Sequence, residues 1–163
     1  MTTLENSTTP THAHDPAVIP QTRSGDVTGT DKAYGAMAQF DHSITLDHQL
    51  RELVKLRASV LNGCSFCVDM HTTDARTNGE TDRRLASVAA WHHAPFFTAR
   101  ERAALALTDA MTNFAPEGVP EAVWDEAKAS IEPEELGQLV MAITAINAWN
   151  RLAITFLTTP PLD

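Results

Sequence analysis

Two cysteines three residues apart, with a histidine four residues beyond the second, are the side chains best suited to do chemistry in this sequence. They lie in the string Asn62-Gly63-Cys64-Ser65-Phe66-Cys67-Val68-Asp69-Met70-His71. If a helix begins at Cys64, then at about 100° per residue Cys67 falls roughly 60° from it around the axis and His71 roughly 20°. All three side chains then share one face, and Cys67 and His71 form an i, i+4 pair of neighbours. The free N–H groups and positive dipole end of a helix start favour a thiolate over a thiol. An imidazole one turn below can take a proton from Cys67 or stabilise its anion. The second thiol is within reach to resolve an oxidised first one as a disulfide. The dipole favours Cys64 as the attacking sulfur and the imidazole favours Cys67. We carry forward Cys67 as the attacking thiol and Cys64 as the resolving one.

A carboxylate completes the constellation if the preceding segment folds back. Glu52, Leu56 and Ser59 recur at i, i+4 and i+7, a stripe on one side of a helix. Antiparallel packing across the Asn62-Gly63 turn would face that stripe toward Cys64, Cys67 and His71. Glu52 would then orient His71 and accept its proton, as an acid does in a Cys-His-acid arrangement. The competing reading of Glu52 is a solvated surface charge. Zinc is a rival for the thiols, with Cys64, Cys67 and His71 as ligands and His92 or His93 as a fourth. Structural zinc, however, usually pairs two ligand hooks from separated segments, and His92-His93 lacks a hook spacing. A pair of inert, buried thiols is a third reading. Haem attachment needs His directly after the second Cys, where this chain has Val68.

The elements that must hold these residues read as helices throughout. A short helix around Tyr34 to Phe40 leads, through a turn over Asp41 to Thr45, into a stronger one from Leu46. There Leu50, Leu53, Val54, Leu56, Val60 and Leu61 recur at helical spacing. Gly63 suits a left-handed C-terminal cap. The next helix runs from Cys64 to about Thr77 and stops at Asn78-Gly79. Another starts near Thr81 or Asp82 and closes near Trp91, with His92 and His93 at its end as capping residues; His42 and His48 flank the helix starting near Leu46. Thr98 and Glu101 have capping-box spacing for a helix to about Asn113. A helix containing Val123, Trp124 and Ala127 follows the break at Pro116, Gly118 and Pro120. Pro133 fits the first turn of a long last helix to about Leu157. In that apolar helix Asn147, Asn150 and Arg151 must find buried partners, across a subunit interface or near the thiols; the reading is structural. Trp124, Trp149, Met111 and Met141 read as core or subunit contacts. No run of alternating β-branched residues marks a strand. The expectation is an all-α domain of six or seven helices over 31–163. It follows a mobile arm over 1–30, rich in Thr, Pro, Asp and Gly. His12 and His14 lie in that arm, where solvated residues are a better reading than a metal pair.

Bulk composition narrows the classes. The 163 residues are 43% hydrophobic and 20% charged, in the ordinary globular range. Twelve Lys and Arg against 21 Asp and Glu give a formal charge of −9. That balance argues against a nonspecific grip on nucleic acid or on an anionic membrane, each of which needs basic patches. The first residues lack the charged and apolar regions of a secretory signal. The longest apolar segment is interrupted by Thr144, Asn147, Asn150 and Arg151, against a membrane span. A cytoplasmic location is therefore expected, and a lone Cys-x-x-Cys in a reducing compartment points to redox chemistry or metal.

The string from Glu52 through Ser59, Asn62, Cys64 and Cys67 to His71 resembles the core motif of the alkylhydroperoxidase D-like (AhpD-like) proteins of the carboxymuconolactone decarboxylase superfamily. The stretch Asn147-Ala148-Trp149-Asn150-Arg151 is similar to that family's last helix, and the likeness spans about Ala33 to Leu157. The resemblance implies an all-α fold in a homo-oligomer, often a trimer or a hexamer of dimers. It implies thiol-dependent peroxidase or disulfide-reductase chemistry with no cofactor, neither metal nor flavin. The substrate would be a hydroperoxide and the reductant a thiol or lipoyl-bearing partner. It maps the thiol pair onto Cys64 and Cys67 and the proton relay onto Glu52 and His71. One position departs: the family's best-known peroxidases carry His immediately before the second Cys, where this chain has Phe66. The Cys-x-x-Cys itself argues against the decarboxylase branch. The expected activity is peroxidase-type oxidoreduction of hydroperoxides. The alternatives are a protein disulfide reductase, or a non-catalytic oligomer with a structural thiol pair or zinc site.

Overall fold

The computed structural model describes residues 20–162, and within them the chain is all-α. Seven α-helices run in order: α1 Asp31–His42, α2 His48–Asn62, α3 Ser65–Thr77, α4 Asp82–Ser87, α5 Ala99–Thr112, α6 Glu121–Ser130 and α7 Pro133–Thr155. Among the described residues the one β-type pairing is an isolated bridge between Ala115 and Gly118. The arm expected over 1–30 lies outside the described residues as far as residue 19, and so do His12 and His14. Its last part holds a 3-10 turn at Ser24–Asp26 and is tied to the end of α7, where Arg23 N donates to Phe156 O at 2.8 Å.

Local signals set most of the boundaries. The Asp47 side chain accepts from Leu50 N and starts α2. Gly63 ends it at φ 70°, ψ 29°, the left-handed conformation that a Cβ disfavours. Thr98 and Glu101 form the reciprocal capping box of α5. Pro133 occupies the first turn of α7. Two expectations need correction. Cys64 is the residue that caps α3, with extended backbone, and the helix proper begins at Ser65. The helix read over 82–91 is broken: α4 stops at Ser87, and 88–93 is a 3-10 segment with Ala90 out of helical geometry. The cause is tertiary. Arg57, buried on α2, takes the carbonyls of Val88 and Ala89 while its guanidinium grips both oxygens of Asp109 on α5.

α2 is the central post and packs against α3, α5 and α7. One of its faces joins α5, α6 and α7 in a core that includes Leu50, Val54, Leu107, Leu139 and Ile143. Another joins Leu85, Val88, Trp91, Phe97 and Leu105 through Leu53 and Leu56. At its C-terminal end Ala58 meets Cys64, Cys67 and Ile146, flanked by Phe66, Trp149 and Ala153. The thiol pair is therefore clasped between α2, α3 and α7, and the tight turn at Gly63 sets its place.

Candidate active site

The four side chains expected to do chemistry converge. Glu52 reaches across from α2, and its Oε2 lies 2.7 Å from His71 Nδ1 on α3. The Sγ atoms of Cys64 and Cys67 lie 2.7 Å apart, with both cysteines free. All four residues are buried, each with less than 5% of its surface exposed. The antiparallel packing of α2 and α3 produces this directly: Glu52 is one helical stripe above Ser59, whose carbonyl accepts from Cys64 N at 3.0 Å.

The ionisation of each group follows from its neighbours. Burial works to raise the Glu52 pKa, but the hydrogen bond and charge of His71, with Lys55 and Arg51 nearby, outweigh it. The net effect holds the carboxyl below its usual range. The same contact fixes the imidazole by its Nδ1 side and turns Nε2 away from the carboxylate. Among the described residues that Nε2 is buried with no hydrogen-bond partner. The anion that the His71 pairing was expected to favour at Cys67 is opposed by that sulfur's surroundings. Burial first, and then the Cys64 sulfur against it, push the Cys67 thiol up to about 12, against a downward pull from the Asn150 amide and its own backbone N–H. Cys67 therefore rests as a thiol, and it lines the same cavity as His71, whose Nε2 is unpartnered.

His71 and Cys67 line a cavity of about 360 Å³ walled by Tyr34, Phe66, Trp149 and Phe156. Tyr34 closes one side, its ring edge-on to Trp149 at 4.9 Å. The buried Lys55 also faces this cavity, its charge met by both oxygens of Asp41 at 2.7 and 2.9 Å. Cys64 does not line it. That cysteine opens instead on a separate groove of about 190 Å³ formed by Gly63, Ser65, Ile154, Leu157 and Pro20.

The rival zinc set is not assembled. His92 lies with Nε2 3.8 Å from Asp109 and stacks on Trp91, as part of the Arg57–Asp109 anchor. Among the described residues the donors that do converge within 4.8 Å are Glu52, His71 and Asp74, without either sulfur. Arg151 is exposed rather than buried, and donates to Asn147 O. Asn147 and Asn150 are buried as expected. The residues missed as parts of the site are Asn150 and Lys55. A buried-partner signal existed for the first, in its place on an apolar helix. For the second it lay in a lysine amid the apolar run Leu53, Val54 and Leu56.

Comparison with known proteins agrees with this architecture. Residues 31–110 match the model of the carboxymuconolactone decarboxylase family. YdfG of Bacillus subtilis, a protein without an assigned function, is 37% identical over 118 residues, 72% of this chain and 80% of its own length. A solved structure from Agrobacterium tumefaciens superposes with a TM-score of 0.80 at 36% identity, over 88% of this chain and all of that one. It is a protein of unknown function for which the antioxidant defence role of AhpD has been suggested. A peroxidase-related protein from Ralstonia eutropha shares the fold, with a TM-score of 0.71 at 20% identity over 81% of this chain and 72% of its own. The chain belongs to the carboxymuconolactone decarboxylase family, as an AhpD-like member.

Proposed function

We propose that this protein is a thiol-dependent peroxidase that reduces organic hydroperoxides through Cys67 and Cys64, with Glu52 and His71 as the proton relay. The observation that carries the reading is the unpartnered Nε2 of His71, oriented by Glu52 and lining the same cavity as Cys67. A thiol pushed up to about 12 needs a base in the act of attack. His71 takes the Cys67 proton as the sulfur attacks the distal oxygen of the hydroperoxide. The O–O bond breaks, the alkoxide leaves as an alcohol with the proton from His71, and Cys67 becomes a sulfenic acid. Cys64 then attacks that sulfur, water leaves, and a disulfide forms. The balance is one hydroperoxide and two thiols to one alcohol, one water and one disulfide. An external dithiol or thiol restores the pair. The apolar, aromatic walls of the cavity suit an organic group on the peroxide.

The test is reduction of cumene hydroperoxide with dithiothreitol by the wild type and by Cys64→Ser, Cys67→Ser, Glu52→Gln and His71→Gln. Both cysteine variants should lose turnover. The two relay variants should fall by about 10²-fold or more, the usual worth of a positioned acid–base group. A wild type that turns over no hydroperoxide while its thiols oxidise and reduce reversibly would replace this reading with a disulfide reductase acting on a protein partner.

A further inference from the structure

Lys55 is the one lysine or arginine among the described residues that line the cavity at Cys67. Its side chain is only 6% exposed, and taking an ammonium out of water carries a large desolvation cost. An apolar residue here would continue the run of Leu53, Val54 and Leu56 without that cost. Asp41 offsets part of it, with its Oδ1 and Oδ2 at 2.7 and 2.9 Å from Lys55 Nζ. Asp41 lines the same cavity, so the head of the lysine as well as its stem stands at that wall. Both contacts go to one carboxylate, whereas an ammonium has three hydrogens. Among the described residues no other side chain or carbonyl accepts from Nζ. A hydrogen is left for whatever occupies the cavity.

The register of α2 sets Lys55 beside the reacting groups. Glu52 stands three residues before it and Ser59 four after, so the three share one face of the helix. Glu52 holds His71 Nδ1 at 2.7 Å, and Ser59 O accepts from Cys64 N at 3.0 Å. Lys55 therefore lies between the anchor of the imidazole and the anchor of the Cys-x-x-Cys turn. At about 360 Å³ the cavity is near the small end of ligand sites, so one bound molecule touches the walls formed by Lys55, His71 and Cys67 together.

We propose that Lys55 is a catalytic residue whose ammonium donates a hydrogen bond to the departing oxygen of the hydroperoxide. This rests on the peroxidase reading above. Cys67 Sγ bonds to the distal oxygen, and the O–O bond breaks with its electron pair on the proximal oxygen. That oxygen takes the proton that His71 removed from Cys67, while Lys55 keeps all of its own. An alkoxide is a poor leaving group, and the negative charge it gathers exists only as the bond breaks. A donor already fixed in an aromatic-walled cavity stabilises that charge as it forms. Asp41 is the positioning residue that holds the donor in place.

The experiment compares two oxidants that carry the same ring, cumene hydroperoxide and perbenzoic acid. The first releases an alkoxide and the second a carboxylate, which departs without help. Each is mixed with the reduced protein, and the loss of free thiols is followed in the wild type and in Lys55→Met. Lys55→Met with Asp41→Asn is a second variant, in which no carboxylate is left unpaired if the single one folds poorly. Either variant should slow oxidation by cumene hydroperoxide by about 10²-fold, the worth of one such donor, and slow perbenzoic acid far less. A lysine that only staples α1 to α2, or only supports the Glu52–His71 relay, would slow both oxidants alike. Equal slowing, or none, in folded variants overturns the proposal and leaves the peroxidase reading standing. A wild type whose thiols cumene hydroperoxide does not oxidise strikes the peroxidase reading itself, and this proposal with it.

Discussion

Glu52 belongs to the proposed relay and also makes a buried hydrogen bond in the fold, and its titration separates the two. Its carboxyl is held below the usual range by His71, Lys55 and Arg51 despite burial, so the folded state binds that proton less readily than the unfolded chain does. The stabilisation this supplies is fully present above the unfolded carboxyl value. It is lost as pH falls through the lower, folded one. Between neutral pH and about pH 5 the wild type should therefore keep this contribution, and below that it should lose it progressively. In Glu52→Gln the corresponding step disappears. Denaturant titrations of both chains at a series of pH values from neutral to acid measure the difference. Parallel acid limbs would show that the Glu52–His71 contact contributes nothing to the fold. The same substitution read by activity belongs to the relay, and a chain can pass one assay and fail the other.

At the scale of elements, the Gly63 turn joins the fold to the site. Its φ of 70° lies where a Cβ is disfavoured, while the space around that Cβ is open. Gly63→Ala should accordingly cost roughly 1–2 kcal/mol of backbone strain with no clash. Urea unfolding should show a lower midpoint with an unchanged slope; an unchanged midpoint would mean the turn relaxes freely. This element, the Thr98–Glu101 box and the Pro133 start were legible in the sequence because their causes lie within a few residues. So were the partners Glu52, Cys64, Cys67 and His71, since one antiparallel helix pair brings them together. The break after Ser87 was not legible. Its cause is Arg57, some 30 residues away, drawing on the carbonyls of Val88 and Ala89. Asn150 was legible only as a residue in need of a partner. Ser59 and Asn62 lie about 90 residues from it, and only the packing of α7 on α2 selects them. The dipole argument for Cys64 and the imidazole argument for Cys67 both read neighbours along one helix, and neither reads the apolar cluster that buries the two sulfurs.

For the whole molecule, the two sulfurs face different ways out. Cys67 lines the aromatic cavity and Cys64 lines the groove between Gly63 and the segment after α7. Thiol–disulfide exchange requires the entering, central and leaving sulfurs to approach a line. In the proposed reaction a reductant that enters by the groove would meet Cys64 with Cys67 behind it as leaving group, whereas a hydroperoxide in the cavity would meet Cys67. Oxidant and reductant then need not compete for one opening. Met70 lines the cavity and not the groove, and Ile154 lines the groove and not the cavity. Both are partly exposed, at 37% and 42%, so a larger ring at either place can be accommodated at the surface. Met70→Trp should slow oxidation of the thiol pair by cumene hydroperoxide by about tenfold, with a smaller effect for hydrogen peroxide, the discrimination a filled pocket achieves. Ile154→Trp should leave that step alone and slow re-reduction by dithiothreitol. Following the two half-reactions separately, with one equivalent of peroxide and then excess dithiol, distinguishes the cases. If each substitution slows both halves alike, the two openings serve a single route and the division between Cys64 and Cys67 by access falls.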